Sequence, residues 1–183
     1  MSSPGSVEGD ERLRLFCALR LPDPTLDHLE RWQAEHFSAE RLVSRRNLHV
    51  TLAFLGSTPA SELGRVVAAL REAAREADTI VLSPWRYRET RSVGMLVLED
   101  EAGAAKTLAE RLFERLEEIG VYRREQRPWL PHVTVVRFRT PPRFDPPVPA
   151  LGTFSPSDAA VYHSLLRPSG AQYDVLETVA LGG

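Results

Sequence analysis

Two segments of this chain repeat one pattern 83 residues apart, and no other feature limits the fold as tightly. The first runs Asn47-Leu48-His49-Val50-Thr51-Leu52-Ala53-Phe54-Leu55-Gly56, the second Leu130-Pro131-His132-Val133-Thr134-Val135-Val136-Arg137-Phe138. Each sets His-Val-Thr inside an apolar, β-branched run, the composition of a buried strand. Side chains alternate across a strand, so His49 and Thr51 share one face about 7 Å apart, as do His132 and Thr134. Val50, Leu52 and Phe54 fall on the opposite face of the first strand, Val133 and Val135 on that of the second. A polar pair in such a run is costly to bury unless satisfied. The same costly choice made twice points to one shared site.

The remaining elements build two similar halves around these strands. Arg12 to Leu21 alternates as a strand. Asp23-Pro24 reads as an N-cap followed by proline, opening a helix to about Phe37. Arg41 to Arg46 is a basic lead-in to the first His strand. Gly56 is expected to end that strand, with Thr58-Pro59 capping a helix that keeps its period to about Ala77. Thr79 to Glu89 and Arg91 to Leu98 read as two strands, and Glu101 to Ile119 as a helix stopped by Gly120. Arg139 to Pro149, with five prolines, reads as an irregular loop. Ala159 to Leu166 and Gln172 to Leu181 form a closing hairpin around Arg167-Pro168-Ser169-Gly170. Residues 1–11 are expected to be a disordered tail, and residues 12–183 a single α+β unit of two pseudo-symmetric lobes.

Composition narrows the function classes. The chain has 183 residues, 43% hydrophobic and 26% charged, with a net charge of −2. That balance argues against general binding to long nucleic acid. Of the 23 basic residues only Lys106 is lysine, and arginine is the better bidentate phosphate ligand. Cys17 is the only cysteine, which excludes an internal disulfide and fits a reducing cytoplasm. No apolar run approaches the length of a membrane span, and the N-terminus lacks the basic start and apolar core of a signal peptide.

Histidine titrates near neutrality, so one copy can give a proton while the other takes one. Two imidazoles facing across a cleft suit displacement at phosphorus. The hydroxyls of Thr51 and Thr134 would meet the non-bridging oxygens. Arg137 could add charge, but strict alternation places it opposite His132, so it needs a bulge or a strand end at Val136. A single His-x-Thr in a strand is ordinarily a structural pair; the repetition is what favours chemistry. A metal is disfavoured, because two histidines without matched carboxylates or cysteines are a poor ligand set. His28 and His36 read as helix surface, Cys17 as core, and His163 as structural. Core packing is also the expectation for Trp85, Tyr87, Tyr122, Trp129 and Phe138. The arginine clusters 45–46, 86–91 and 123–127 read as solvated faces, one of which could flank a phosphate path.

At the two motifs the sequence resembles the 2H phosphoesterases, defined by paired His-x-[Ser/Thr] motifs. Within them it is similar to the RNA 2′,3′-cyclic phosphodiesterases, also called 2′-5′ RNA ligases. Arg14 to Pro22 resembles the family's opening strand, Arg127 to Thr134 its second motif, and Val161 to Leu181 its closing strands. Val136 departs from the glycine or leucine found in many members. The resemblance implies a bilobal fold with two antiparallel sheets, outer helices and a central cleft. It implies hydrolysis of RNA 2′,3′-cyclic phosphate ends to 2′-phosphomonoesters without metal or cofactor, and a capacity to join RNA ends through a 2′-5′ bond. By the same resemblance His49 is the proton donor and His132 the proton acceptor, while Thr51, Thr134 and Arg137 bind the substrate. The expected partner is RNA bearing a 2′,3′-cyclic phosphate, tRNA fragments among them, acted on by a cytoplasmic monomer. Two alternatives stay open: a phosphodiesterase for small cyclic nucleotides or ADP-ribose cyclic phosphate, and a non-catalytic RNA-end binder.

Overall fold

The computed structural model describes residues 11–37 and 41–182. Eight strands form one curled antiparallel sheet: β1 (Arg12–Arg20), β2 (Arg41–Leu42), β3 (His49–Pro59), β4 (Ser83–Glu89), β5 (Val93–Glu99), β6 (His132–Arg137), β7 (Asp158–Arg167) and β8 (Gly170–Val179). Among the described residues three α-helices accompany them: α1 (Asp23–His36), α2 (Leu63–Arg75) and α3 (Ala104–Glu118). The strand order is β4-β5-β6-β3-β1-β7-β8, with β2 paired to β6 beside β3. The two His strands are therefore central neighbours. They touch in register at a single pair, Val50 with Val133, where the run β4-β5-β6 meets the run β3-β1-β7-β8. One continuous sheet thus carries both His strands, in place of the two sheets expected.

The core lies between the sheet and the helices. Leu15, Cys17 and Leu19 from β1 meet Val66, Leu70 and Ala73 of α2 and Leu108, Leu112 and Leu116 of α3 in one buried cluster. Fully burying a leucine contributes roughly 2 kcal/mol, so the two amphipathic stripes are what hold the helices to the sheet. Gly120 stops α3 as expected: its φ of 76° lets its N–H reach Glu117 O at 3.0 Å while Val121 N–H reaches Leu116 O at 3.2 Å. That is the paired bonding of a left-handed helix C-terminus.

Some boundaries differ from expectation: β4 begins at Ser83 rather than Thr79, and two others change a residue's role. Asp23 is not the N-cap of α1; the extended Pro22 holds that place, and its carbonyl accepts from Leu26 N–H at 3.1 Å. Asp23 instead pairs with Arg45 at 2.9 Å. Nor does Gly56 end β3. It sits at φ 71° beside a bulge opposite Leu15 and Phe16, and the strand continues to Pro59. Thr58 is thus a buried strand residue donating to Gly56 O at 3.2 Å, and α2 begins at Leu63 after a short 3-10 turn. The expected tail falls on residues 1–10, outside the described residues, and on Glu11, whose carbonyl accepts from Ala60 N–H at 2.7 Å.

Candidate active site

Both His strands carry a bulge at the same place. Along β3, Thr51 pairs with Ala18 and Ala53 with Cys17, leaving Leu52 unmatched. Along β6, Thr134 pairs with Met95 and Val136 with Gly94, leaving Val135 unmatched. In each motif the third and fourth residues after histidine therefore both face the core, and Leu52, Ala53, Val135 and Val136 are all buried there. Beyond the bulge the parity reverses. Arg137 consequently turns onto the face of His132 and Thr134, which strict alternation had denied it. The same reversal corrects the expectation for Phe54: it does not pack into the core with Val50 but is 46% exposed, beneath the Arg14 guanidinium at 4.9 Å.

The β6 bulge is braced from behind. Gln33, buried on α1, donates through Nε2 to Val135 O at 2.7 Å and to Val43 O at 2.9 Å. Val43 N–H adds a second bond to Val135 O at 3.0 Å. On the other flank Gly94 leaves room that a side chain would fill, since a Cβ there would lie 2.6 Å from Val136 Cγ1.

The reversed parity completes a cleft of about 290 Å³ lined by His49, Thr51, His132, Thr134 and Arg137, with Arg41, Asn47, Tyr173 and the turn Ser169–Ala171. All five expected site residues are thus brought together. Trp129, just before β6, links to β3 by donating from Nε1 to Thr51 O at 3.0 Å. Arg137 donates to the Tyr173 hydroxyl at 3.3 Å.

The two imidazoles sit differently. His132 Nδ1 lies 2.8 Å from Leu130 O. A carbonyl only accepts, so Nδ1 carries the proton and the neutral ring keeps its lone pair on Nε2. His49 places Nε2 3.0 Å from Thr51 Oγ1. Its Nδ1 is buried and makes no hydrogen bond, although the nearby Asn47 carbonyl favours the charged ring. Aromatic rings enclose it: Phe16 at 5.0 Å, Tyr173 at 5.5 Å and Tyr162 at 5.7 Å between centroids. That desolvation, with smaller contributions from the charges of His132 and Arg137, pushes the His49 pKa down from 6.5 to about 4. Burial therefore favours the neutral form of His49.

Other expectations resolve individually. His163 does not line the cleft; it alternates with Tyr162 on β7 and pairs with the core residue Leu15. Cys17 is buried as expected. Trp85 is not core but 53% exposed, with Arg86 over its ring at 4.2 Å. Arg45 is no phosphate ligand, since Asp23, Asp27 and Glu30 surround it. Sequence reasoning missed Arg41 as an individual, and also Asn47 and Tyr173. Tyr173 had no local signal, because only the closing hairpin brings it beside His49. Among the described residues no group of three or more His, Cys, Asp or Glu could hold a metal, and no helix is long and apolar enough to cross a membrane.

Comparison with known proteins agrees with this geometry. A family model described as the 2′-5′ RNA ligase superfamily matches residues 21–167. The RNA 2′,3′-cyclic phosphodiesterase of Thermus thermophilus is 31% identical over 93% of this chain and 91% of its own length. The Escherichia coli enzyme of the same name is 29% identical over 93% and 98%. In structure, apo E. coli LigT superposes with a TM-score of 0.81 at 25% identity, covering 94% of this chain and 99% of its own. T. thermophilus TT0787 gives 0.77 at 29% identity, covering 92% and 98%.

Proposed function

Because the chain belongs to the 2′-5′ RNA ligase superfamily, we propose that it hydrolyses RNA 2′,3′-cyclic phosphate ends to 2′-phosphomonoesters by a metal-independent, two-histidine mechanism. The observation that carries this reading is the meeting of both His-x-Thr pairs and Arg137 on one face of the central strands. His132, with its proton fixed on Nδ1, offers Nε2 to an attacking water. His49 gives a proton from Nε2 to the departing 3′ oxygen. Burial favours its neutral form, and the phosphate's negative charge is what favours its imidazolium on binding. Thr51 and Thr134 donate to the non-bridging oxygens, and Arg137 offsets their growing charge. Loss of the 3′ rather than the 2′ oxygen follows from which oxygen lies by His49.

The cleft is complete within one chain, which supports a monomeric enzyme. RNA fragments, tRNA fragments among them, are the substrates this reading favours, and the lone reduced thiol of Cys17 supports a cytoplasmic setting. The donor set of two imidazoles and two hydroxyls supports chemistry without a divalent ion. The test is turnover of RNA ending in a 2′,3′-cyclic phosphate in excess EDTA, with the product digested by enzymes that tell 2′- from 3′-phosphate. His49→Ala and His132→Ala should each lose roughly 100- to 10,000-fold. A 3′-phosphate product reverses the leaving-group assignment, and near-normal turnover by either variant removes the two-histidine mechanism.

A further inference from the structure

We infer that Arg41, beside Arg137, forms a second phosphate subsite that takes the backbone phosphodiester on the 5′ side of the reacting RNA end. The inference rests on the proposed RNA reading and adds a specificity determinant to it. Arg41 on β2 is the register partner of Arg137 on β6. Directly opposed residues of antiparallel strands lie about 5 Å apart at Cα, and like charges there are destabilising. No carboxylate among the described residues relieves the pair: Arg41 has no ion pair, and Arg137 meets only the Tyr173 hydroxyl. Other arginines of the same segment are neutralised, Arg45 by three carboxylates and Arg46 by Asp174 at 3.6 Å. Both unneutralised guanidiniums line the cleft that holds His49 and His132.

Arg41 also reaches across that cleft. Its Nη2 lies where a Cβ on Gly170 would be 3.3 Å away, so the guanidinium spans from β2 to the β7–β8 turn, beside Ser169. The charge balance then identifies the ligand. A cyclic phosphate carries one negative charge, which Arg137 and an imidazolium already meet. A second guanidinium calls for a second anion on the same substrate, and an RNA chain supplies one phosphodiester per nucleotide. A nucleoside 2′,3′-cyclic phosphate has only the reacting one.

The experiment compares kcat/KM for cytidine 2′,3′-cyclic phosphate, for the cytidine dinucleotide ending in the cyclic phosphate, and for that dinucleotide with a neutral methylphosphonate linkage. Wild type should prefer the charged dinucleotide about tenfold, the effect of a charge-assisted hydrogen bond. Arg41→Ala should lose about tenfold more on the charged dinucleotide than on the other two substrates. Its dependence of log kcat/KM on log salt should be shallower by about 0.7, one single-strand phosphate contact. A parallel titration measures affinity for the dinucleotide ending in a 2′-phosphate, which needs no turnover; there too Arg41→Ala should weaken binding about tenfold. Equal losses on all three substrates would place Arg41 on the reacting phosphate and overturn the subsite. So would unchanged affinity for the dinucleotide product. Failure of wild type to turn over any of the three would instead count against the proposed activity, with the titration still judging Arg41.

Discussion

Enclosing His49 among Phe16, Tyr162 and Tyr173 ties the stability of the fold to pH. The unfolded imidazole titrates at 6.5 and the folded one at about 4. Between those values the unfolded chain binds a proton that the folded chain does not. Stability is therefore fully present above pH 6.5 and is lost as pH falls toward 4. A depression of that size corresponds to about 3 kcal/mol, and roughly 2 kcal/mol of it falls between pH 7 and pH 4.5. The ring keeps one part-exposed edge in the cleft, so these are upper figures. Urea unfolding at the two pH values measures the loss, and His49→Gln isolates it, since glutamine keeps a polar group near Thr51 but does not titrate. Wild type should lose up to about 2 kcal/mol more than the variant on acidification. Millimolar inorganic phosphate should shrink the difference, because a bound anion raises the folded pKa. Equal acid sensitivity in the two proteins, or a His49 ring resonance titrating near 6.5, would refute the desolvation argument.

The remaining predictions concern the reaction and the strand geometry behind it. The pH profile of kcat/KM should be a bell, since the reaction needs one imidazole protonated and the other neutral, and burial of His49 should draw its acid limb below the usual histidine range; a flat profile from pH 3 to 9 eliminates the acid-base pair. The variant lacking both histidines should lose far less than the product of the single losses, because groups acting as a unit are non-additive. Arg137→Lys should lower kcat despite its retained charge, since the planar fork is gone; unaltered kinetics would contradict a bidentate role. Gln33→Leu leaves Val43 O without its side-chain donor and halves the bonding of Val135 O. It should cost about 1–3 kcal/mol in urea unfolding and reduce kcat through Arg137, with the pH profile of the remaining activity unchanged. Gly94→Ala should distort the same bulge through contact with Tyr87 and Val136, read as a lowered Tm and a weakened response to Arg137→Lys.

Much of the site was legible in the residue order because its chemistry is local. His49 and Thr51, or His132 and Thr134, share a face by the geometry of any strand, and repetition of that pair announced a common cleft before any contact was known. The helices were legible for the same reason: Leu108, Leu112 and Leu116 keep a period that only one face of α3 can satisfy. Alternation failed where the backbone broke it. The bulges at Leu52 and Val135 cannot be read from apolar residues that suit either face, yet they turn Phe54 outward and Arg137 into the site. Whether Arg137 could work at all was decided by Gln33 and Gly94, residues 104 and 43 positions upstream in the chain, which brace and admit the bulge. Arg41 was visible only as one charge in a basic run until β2 paired it with Arg137. His49 reads as an ordinary imidazole in sequence; its depressed pKa comes from rings on β1, β7 and β8 that the fold gathers around it. Local periodicity sets which atoms a strand can present, whereas desolvation, bulges and cross-strand charge arise between segments distant in sequence, and only their packing decides them.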